Sequence, residues 1–302
     1  MLNNMNITRA RSTTLLTSNF VTTVKGYYIN HVICFAFNIL IMVSSTVLNT
    51  TTLLAYWKSS QLGKKTSYFL IMLLSLSDLG TVLGCSSMRS IILLRDMLGY
   101  ERSSLTLPYI ILMLVFFGMS YSILWVLIIE RYLGIVHPLF HRNNVNKPRV
   151  LKVTIVFWFI IAIVGFITVL DRKIGKFVVG TTMSLNLTGL IVIYVKIFLT
   201  GGRTVVGNTS QYKAFLRKIK LAKSCLIAVG CGYVCFLPTA VMAFQPHSPF
   251  VKFVLWSWAY TLLHANPTLN SVIFFWRNLI LRKEAKLVLR QFFNAMRVAE
   301  TA

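Results

Sequence analysis

Long apolar segments constrain what this chain can fold into more than any other feature of its sequence. Seven of them are long enough to cross a bilayer as helices, which takes about 20 apolar residues each. The chain is 56% hydrophobic with a mean hydropathy of +0.70. A segment in lipid must satisfy its own backbone polar groups, so we expect an all-α membrane protein built as a bundle of seven helices. The predicted spans are 26–57, 66–88, 105–129, 153–170, 177–195, 224–250 and 253–276.

The basic residues are distributed unevenly between the connecting segments. If residue 1 lies outside, 21 of the 31 Lys and Arg residues fall on the inner side. This asymmetry follows the positive-inside rule and predicts an extracellular N-terminus and a cytoplasmic C-terminus, in the plasma membrane. The net charge of +24 then indicates contact with anionic lipids rather than with nucleic acid, because no DNA-binding fold fits between the spans.

The spans divide the chain into three parts. We expect residues 1–25 to form an extracellular tail, residues 26–276 the membrane domain, and residues 277–302 an amphipathic helix and a short cytoplasmic tail. Asn6 begins an Asn-Ile-Thr sequon on the tail and is a candidate glycosylation site. The five cysteines all fall within predicted spans, so neither a disulfide framework nor a metal site is expected.

Polar motifs recur at fixed places in the spans. The third span is followed directly by Glu130-Arg131-Tyr132 and then by His137-Pro138-Leu139. The second contains Leu74-Ser75-Leu76-Ser77-Asp78-Leu79, the fifth has Tyr194 near its inner end, and the sixth contains Cys235-Phe236-Leu237-Pro238. Together these motifs resemble rhodopsin-like (class A) G-protein-coupled receptors over most of the chain.

The seventh span departs from that family's pattern. Its Asn-Pro motif occurs here as Asn266-Pro267, one turn earlier than usual, and Phe274 replaces the family's tyrosine. Because proline removes a backbone donor, we expect the helix kink to shift outward. The third span also lacks the family's usual cysteine, and Asn186 replaces a proline in the fifth. These losses resemble the melanocortin, cannabinoid and lysophospholipid receptors.

The resemblance implies an activation switch at the inner end. Glu130 would hold Arg131 in the resting state, and Arg131 would turn toward Tyr194 and a heterotrimeric G protein on activation. Lys218 replaces an acid that many relatives carry on the sixth helix, which predicts a loosened resting state and raised basal signalling. The remaining candidate switch residues are Tyr132, Phe236, Pro238, Asn270 and Phe274.

A polar cluster is predicted around Asp78, taken from the sequence as the only full charge inside a span. An ionised carboxylate within the membrane must be paired, hydrated or neutralised. By the family spacing, Asp78 shares the interior with other oxygen-bearing side chains, which resembles an allosteric sodium pocket. The alternative is a hydrogen-bond network around a protonated Asp78 with no ion. The candidate residues are Asn49, Asp78, Ser120, Asn266 and Asn270.

The resemblance places a ligand cavity between the outer halves of the third, sixth and seventh helices. Its candidate lining residues are mostly apolar, which favours a lipid-like or neutral small molecule, although a peptide is also compatible. Aromatic residues there can equally be packing groups, and His264 can be a satisfied interior histidine. The candidates are Met113, Phe116, Phe117, Phe244, Trp256 and His264.

Three other functions compete with that of a receptor. An enzyme is disfavoured because the sequence contains no nucleophile–base constellation, metal-ligand cluster or phosphate-binding loop. A multi-span transporter also has buried polar residues, but internal repeats are not found here. A receptor-like protein that does not couple to a G protein stays open. No cofactor other than a sodium ion is implied.

Overall fold

The computed structural model describes residues 2–100, 103–203, 209–244 and 249–300. Twelve helices and one π-helical turn are found in these ranges. In chain order they are α1 (Leu2–Lys58), α2 (Ser60–Gly63), α3 (Thr66–Gly80), the π turn (Thr81–Ser86), α4 (Ser87–Met97), α5 (Ser103–Val136), α6 (Pro138–Asn144), α7 (Lys147–Leu170), α8 (Arg172–Arg203), α9 (Thr209–Phe244), α10 (Pro249–His264), α11 (Asn266–Arg277) and α12 (Leu279–Glu300).

The long helices form the seven-helix bundle that the hydropathy pattern predicts. Six uninterrupted segments among the described residues are long and apolar enough to cross a membrane. The seventh span is divided into α10 and α11, with the break at Ala265 and Pro267 in the first turn of α11. The missing proline donor explains why the break falls here, outward of the family's usual position, as predicted.

The second span is longer than the sequence indicates, and this corrects one prediction. It was expected to end at residue 88, but α3, the π turn and α4 continue as one segment, Thr66–Met97. Arg89, Arg95 and Asp96 therefore lie inside the span, and the prediction that Asp78 is its only charge is wrong. The physical reason is direction, since Arg89 faces the interior with only 5% of its surface exposed. A hydropathy average carries no information about the direction of a side chain, so it ends the span at the first charge even when that charge faces the interior.

The core lies at the inner half of the bundle, where α3, α5, α9 and α11 meet around residues such as Leu74, Leu127 and Phe274. The opposite faces carry large apolar side chains that are exposed, such as Phe159 at 72% and Phe177 at 74%. This inverted arrangement fits helices surrounded by lipid, where apolar groups need no burial in protein.

Gly80 permits the close approach of α3 to α5. A Cβ atom at this position would lie 2.3 Å from the ring of Phe116, so any larger residue would force the ring or the helices to move. At Gly84, one turn later, the same ring would be 3.4 Å away. The close contact is therefore confined to Gly80, just beyond Asp78.

The C-terminal helix is amphipathic, as predicted. The sequence predicts it over residues 277–293, whereas α12 spans Leu279–Glu300 after a break at Asn278. Its apolar side chains Leu281, Ala285 and Val288 are buried against the bundle, and Lys283, Lys286 and Arg290 are exposed. It packs along α1, where Lys58 Nζ donates to Gln291 Oε1 at 3.2 Å.

Two predicted sites fall on side chains outside the described ones. Asn6 lies in the part of α1 whose side chains are not described, so its glycosylation and the extracellular tail stay predictions. The side chain of Phe244, a candidate ligand contact, is also outside the described set. All five cysteines carry free thiols.

Candidate functional site

The charged pair predicted at the inner end of α5 is formed. Nε and a terminal nitrogen of Arg131 both donate to the carboxylate of Glu130. The Glu130 side chain is almost completely buried, with 3% of the residue exposed. A guanidinium donating twice to one carboxylate is a strong, geometrically specific contact, so Arg131 is held against its own helix.

Two further residues hold the same carboxylate, and sequence reasoning missed both. Ser67 Oγ on α3 lies 3.3 Å from each Glu130 oxygen and also accepts a hydrogen bond from Arg131. His141 Nε2 on the short helix α6 lies 2.9 Å from Glu130 Oε1. We call Glu130, Arg131, Ser67 and His141 the inner latch. Ser67 is 63 residues from Glu130, so only the fold brings them together.

The inner latch borders a cavity of about 600 Å³ at the same end of the bundle. Its lining is strongly basic, and Glu130 is the only acid among the lining residues. The cations are Lys64, Lys65, Arg131, Lys218, Lys220 and Arg277. The cavity therefore suits a partner that brings acidic or carbonyl groups.

Helix α9 joins the inner end of the bundle through hydrogen bonds to backbone carbonyl oxygens. Lys218 Nζ donates to the Gly134 carbonyl oxygen of α5 at 3.0 Å. The Tyr194 hydroxyl on α8 donates to the carbonyl oxygen of Ala222. Because the sequence of α9 contains no Asp or Glu, this helix cannot offer Arg131 an ion pair.

Asp78 lies at the middle of the bundle with two of its predicted partners. Ser120 Oγ donates to Asp78 Oδ1 at 2.6 Å, and Asn270 Nδ2 donates to Asp78 Oδ2 at 3.2 Å. All three are buried. The structure therefore brings α3, α5 and α11 together through one carboxylate.

The other two residues of the predicted pocket lie elsewhere. Asn49 donates to the Ser45 carbonyl at 3.0 Å and accepts from Ser271 Oγ at 2.7 Å, which forms a separate link between α1 and α11. Asn266 lines an outer cavity, and its Oδ1 is buried without a hydrogen-bond partner. Only three of the five predicted residues share one centre.

The cluster of Asp78, Ser120 and Asn270 has the oxygen donors that a small hard cation needs. They offer carboxylate, hydroxyl and amide oxygens, the donor types that such ions prefer. The Oδ1 atom of Asn270 is buried there and has no hydrogen-bond partner. An orphaned buried oxygen beside a carboxylate is the feature expected of an ion or water site.

An apolar cavity of about 290 Å³ lies in the outer part of the bundle, between α5, α7, α8 and α9. Met113 and Phe117, two predicted ligand contacts, line it. So does Phe236, which was predicted as a switch residue. Its polar lining includes Asn186 and Asn266. The cavity can therefore take an apolar body and offer it an amide oxygen.

The remaining predicted ligand contacts are used within the protein. Phe116 covers Gly80, and the ring of Trp256 stacks on Tyr260 with centroids 5.2 Å apart. Both ring nitrogens of His264 are hydrogen-bonded, Nδ1 to Ser86 Oγ at 3.1 Å and Nε2 to the Tyr109 hydroxyl at 3.0 Å. His264 thus links α5 and α10 to the π turn.

The other candidate switch residues occupy varied places. Phe274 is buried in the core with 2% exposure, and Pro238 lies inside α9. The ring of Tyr132 meets that of His137 edge-on with centroids 5.7 Å apart. Tyr132 therefore packs on the segment leading into α6 and is not part of the inner latch.

Arg89 is a functional candidate that the sequence did not reveal. Its guanidinium carbon lies 5.3 Å from the centroid of the Tyr260 ring, and its Nε is buried without a hydrogen-bond partner. The only sequence signal is an arginine just beyond the predicted end of a span. An inward-facing charge at this depth needs an explanation.

One comparison with known proteins gives a family. The family model for the 7 transmembrane receptor (rhodopsin family) matches residues 48–178, from the inner half of α1 into α8. No curated protein matches the chain. With the seven-helix bundle and the motif at Arg131, this match supports a rhodopsin-like (class A) seven-transmembrane receptor. The chain is therefore a multi-pass membrane protein of a family of signalling receptors.

Proposed function

We propose that this receptor binds an extracellular ligand and activates a heterotrimeric G protein from the plasma membrane, with its N-terminus outside. The observation that carries the proposal is the inner latch, which holds Arg131 beside a basic cavity large enough to admit part of a partner protein. A buried charge pair at a cavity rim is a two-state element that binding can shift.

The latch geometry supports a switching role for Arg131. In the described state its donors are engaged by Glu130 and Ser67. Releasing Arg131 would turn its guanidinium toward the cavity, where a partner's carbonyl or carboxylate groups can accept from it. His141 would still hold the Glu130 carboxylate after release, which lowers the cost of separating the pair.

The position of Lys218 supports raised basal signalling. Outward movement of α9 would break its hydrogen bonds with Gly134, Tyr194 and Arg277 but no ion pair, because α9 has no acidic residue. A single such hydrogen bond contributes about 1.5 kcal/mol or slightly more. No ion pair on α9 therefore adds to these contacts in holding the described state against an open one.

The outer cavity favours a ligand with an apolar body, lipid-like or neutral. Its wall includes Phe236, two residues before the proline of α9, and Asn266, the first residue of α11. A ligand in the cavity would contact α9 and α11 close to their prolines, where a helix bends most easily. It could therefore shift the inner ends of both helices. The unpartnered Asn266 oxygen would accept from a hydroxyl or amide of the ligand.

A sodium ion is proposed at Asp78, held by oxygen atoms of Asp78, Ser120 and Asn270. Such an ion would neutralise the carboxylate and fix α3, α5 and α11 together in the resting state. The alternative, a protonated Asp78 in a hydrogen-bond network, uses the same contacts. The exposed lysines and arginine of α12 would lie against anionic lipids of the inner leaflet.

The proposal is tested by nucleotide exchange on G-protein heterotrimers of each main class, with the purified receptor in nanodiscs and no ligand. Wild type should exceed empty nanodiscs, and Arg131→Ala should fall to that background. Arg142→Ala is the matched control, because Arg142 is an exposed arginine on α6 at the same surface. Background exchange in wild type with every class, or equal exchange in wild type and Arg131→Ala, would contradict the proposal. The first result would favour a transporter or a receptor-like protein that does not couple.

A further inference from the structure

Arg89 is a buried cation in the outer part of the bundle whose charge no anion balances among the described residues. It is 5% exposed, and its Nε has no hydrogen-bond partner. An ionisable residue inside a transmembrane bundle usually pairs with another charge or marks a ligand pathway. A buried arginine of this kind therefore calls for an anionic partner.

The groups around Arg89 are all neutral. Its charge acts on the Cys34 thiol, the Tyr109 and Tyr260 phenols, and the His264 imidazole. Thiols and phenols are uncharged at neutral pH, and His264 uses both nitrogens in hydrogen bonds. A ring face beneath the guanidinium stabilises a cation but leaves its N–H donors unused.

The acid nearest along the same helix is directed elsewhere. Asp96 follows Arg89 by seven residues, which is about 10 Å of helix rise. Its Oδ2 lies 3.9 Å from His31 Nε2 on α1. Among the described residues, no ion pair joins Asp96 or any other acid to Arg89. Glu101 lies outside the described residues and enters the test below.

A series of aromatic contacts links the wall of the apolar cavity to Arg89. Phe117 lines that cavity, and its ring centroid is 5.7 Å from that of His264. Tyr109, which bonds to His264, packs edge-on against Tyr260 at 5.5 Å. Four aromatic side chains in contact, Phe117, His264, Tyr109 and Tyr260, therefore connect the cavity wall to the guanidinium.

We propose that Arg89 binds the acidic group of an amphiphilic ligand, a carboxylate or a phosphate, whose apolar body occupies the cavity lined by Met113 and Phe117. A guanidinium can donate two parallel hydrogen bonds to either acid, which is the contact Arg89 lacks. The inference rests on the proposed function and narrows its ligand from lipid-like or neutral to acidic and amphiphilic. It also explains why a charged residue is buried at this position, which packing alone does not.

Binding of three oleoyl probes to the receptor in phosphatidylcholine nanodiscs tests this proposal, with empty nanodiscs subtracted. Oleate carries a carboxylate, 1-oleoyl lysophosphatidate a phosphate, and oleamide a neutral amide on the same chain. At least one acidic probe should bind wild type roughly tenfold more tightly than oleamide, as expected for a charge-assisted contact. The acidic probe that binds more tightly shows whether Arg89 prefers a carboxylate or a phosphate.

Variants of Arg89 separate recognition from folding. Arg89→Gln should remove the preference for the acidic probe and leave oleamide binding unchanged, which shows that the cavity is intact. Arg89→Lys keeps the positive charge but loses the planar guanidinium, so it should keep part of the preference for the acidic probe. This variant replaces Arg89→Gln in the test if the glutamine variant does not fold. Arg95→Gln is the matched control, since Arg95 is half-buried two turns further along the helix, and it should behave as wild type.

Equal binding of oleamide and both acids to wild type would overturn the proposal, as would an acid preference that survives in Arg89→Gln. Glu101→Gln should leave acid binding unchanged. A rise of tenfold or more in that variant would show that the chain supplies the anion itself. No G protein is present in this assay, so its failure leaves the exchange test of Arg131 standing.

Discussion

Glu130 and Arg89 are opposite charges buried in opposite halves of one bundle, and they differ in what satisfies them. Glu130 has partners on three helices, namely Arg131 on α5, Ser67 on α3 and His141 on α6. Arg89 rests on an aromatic ring with an unpaired Nε. One charge is completed by the chain, and the other is not completed by any described residue.

The difference separates two uses of a buried charge. A charge satisfied within the protein stabilises one arrangement of helices, and it acts as a switch when its partners can be exchanged. A charge left unsatisfied costs free energy until a group from outside completes it. Glu130 lines the basic cavity at the inner end of the bundle, whereas Arg89 is buried in the outer half, outside the lining of the apolar cavity.

The largest expected effect comes from removing the satisfied charge. Glu130→Gln leaves Arg131 and His141 without their anion, and breaking a buried pair on one side costs about 3 kcal/mol. The free energy of unfolding, measured by chemical denaturation in micelles, should fall by that amount. Glu284→Gln on α12, whose carboxylate is partly exposed, is the control and should change it by less than about 0.5 kcal/mol. Equal losses in the two variants would mean that Glu130 is not held as described.

The close packing between the two sites gives the next largest effect. Gly80→Ala would place a Cβ atom 2.3 Å from the Phe116 ring, and overpacking of this kind costs about 2 kcal/mol. Gly84→Ala meets the same ring at 3.4 Å and should cost less than about 0.5 kcal/mol. The same unfolding measurement checks both. If both substitutions were tolerated alike, α3 and α5 would not approach as closely as described.

Asp78 lies between the two charges and gives a sharper test of where an ion binds. Replacing choline chloride by sodium chloride at constant ionic strength should slow basal exchange of the wild type about fivefold, at the lower end of allosteric couplings. Asp78→Ala should lose this response. Asn49→Ala should keep it, because Asn49 bonds to Ser271 and not to Asp78. Loss of the response in both variants would restore the larger pocket that the sequence predicts.

The smallest effect is expected at the unsatisfied charge. Arg89→Met strands no partner anion among the described residues. Loss of the contact with the Tyr260 ring, about 2 kcal/mol for a desolvated cation, is offset because the substitution also removes an unsatisfied buried charge, so the free energy of unfolding should change little. Unfolding of the ligand-free receptor checks this. A loss as large as that of Glu130→Gln would show that Arg89 has a strong partner within the chain and would end the contrast between the two sites.

Hydropathy and motif spacing could predict the bundle and the Glu130–Arg131 pair, because both depend on local sequence. The inner partners could not be predicted, since Ser67 reaches Glu130 only through packing of α3 on α5. The π turn between Thr81 and Ser86 adds a residue to one helical turn and changes the face on which later residues point. A regular helical projection therefore misplaces Arg89.

The predicted pocket around Asp78 shows a second limit of sequence. Asn49, Asn266 and Asn270 are all buried, as family spacing predicts, because spacing fixes the side of a helix. It cannot decide which of several neighbouring polar groups each amide contacts. Asn49 pairs with Ser271, and Asn266 faces the outer cavity. Only tertiary packing separates these clusters.

Ligand-free nucleotide exchange by Glu130→Gln tests the central claim most directly, which is that the Glu130 carboxylate restrains Arg131. The measurement compares this variant with wild type at matched receptor amounts in nanodiscs, using the G protein that wild type activates. The account predicts several-fold faster exchange for Glu130→Gln, and a return to the empty-nanodisc rate when Arg131→Ala is added. Exchange no faster than wild type in Glu130→Gln would contradict it.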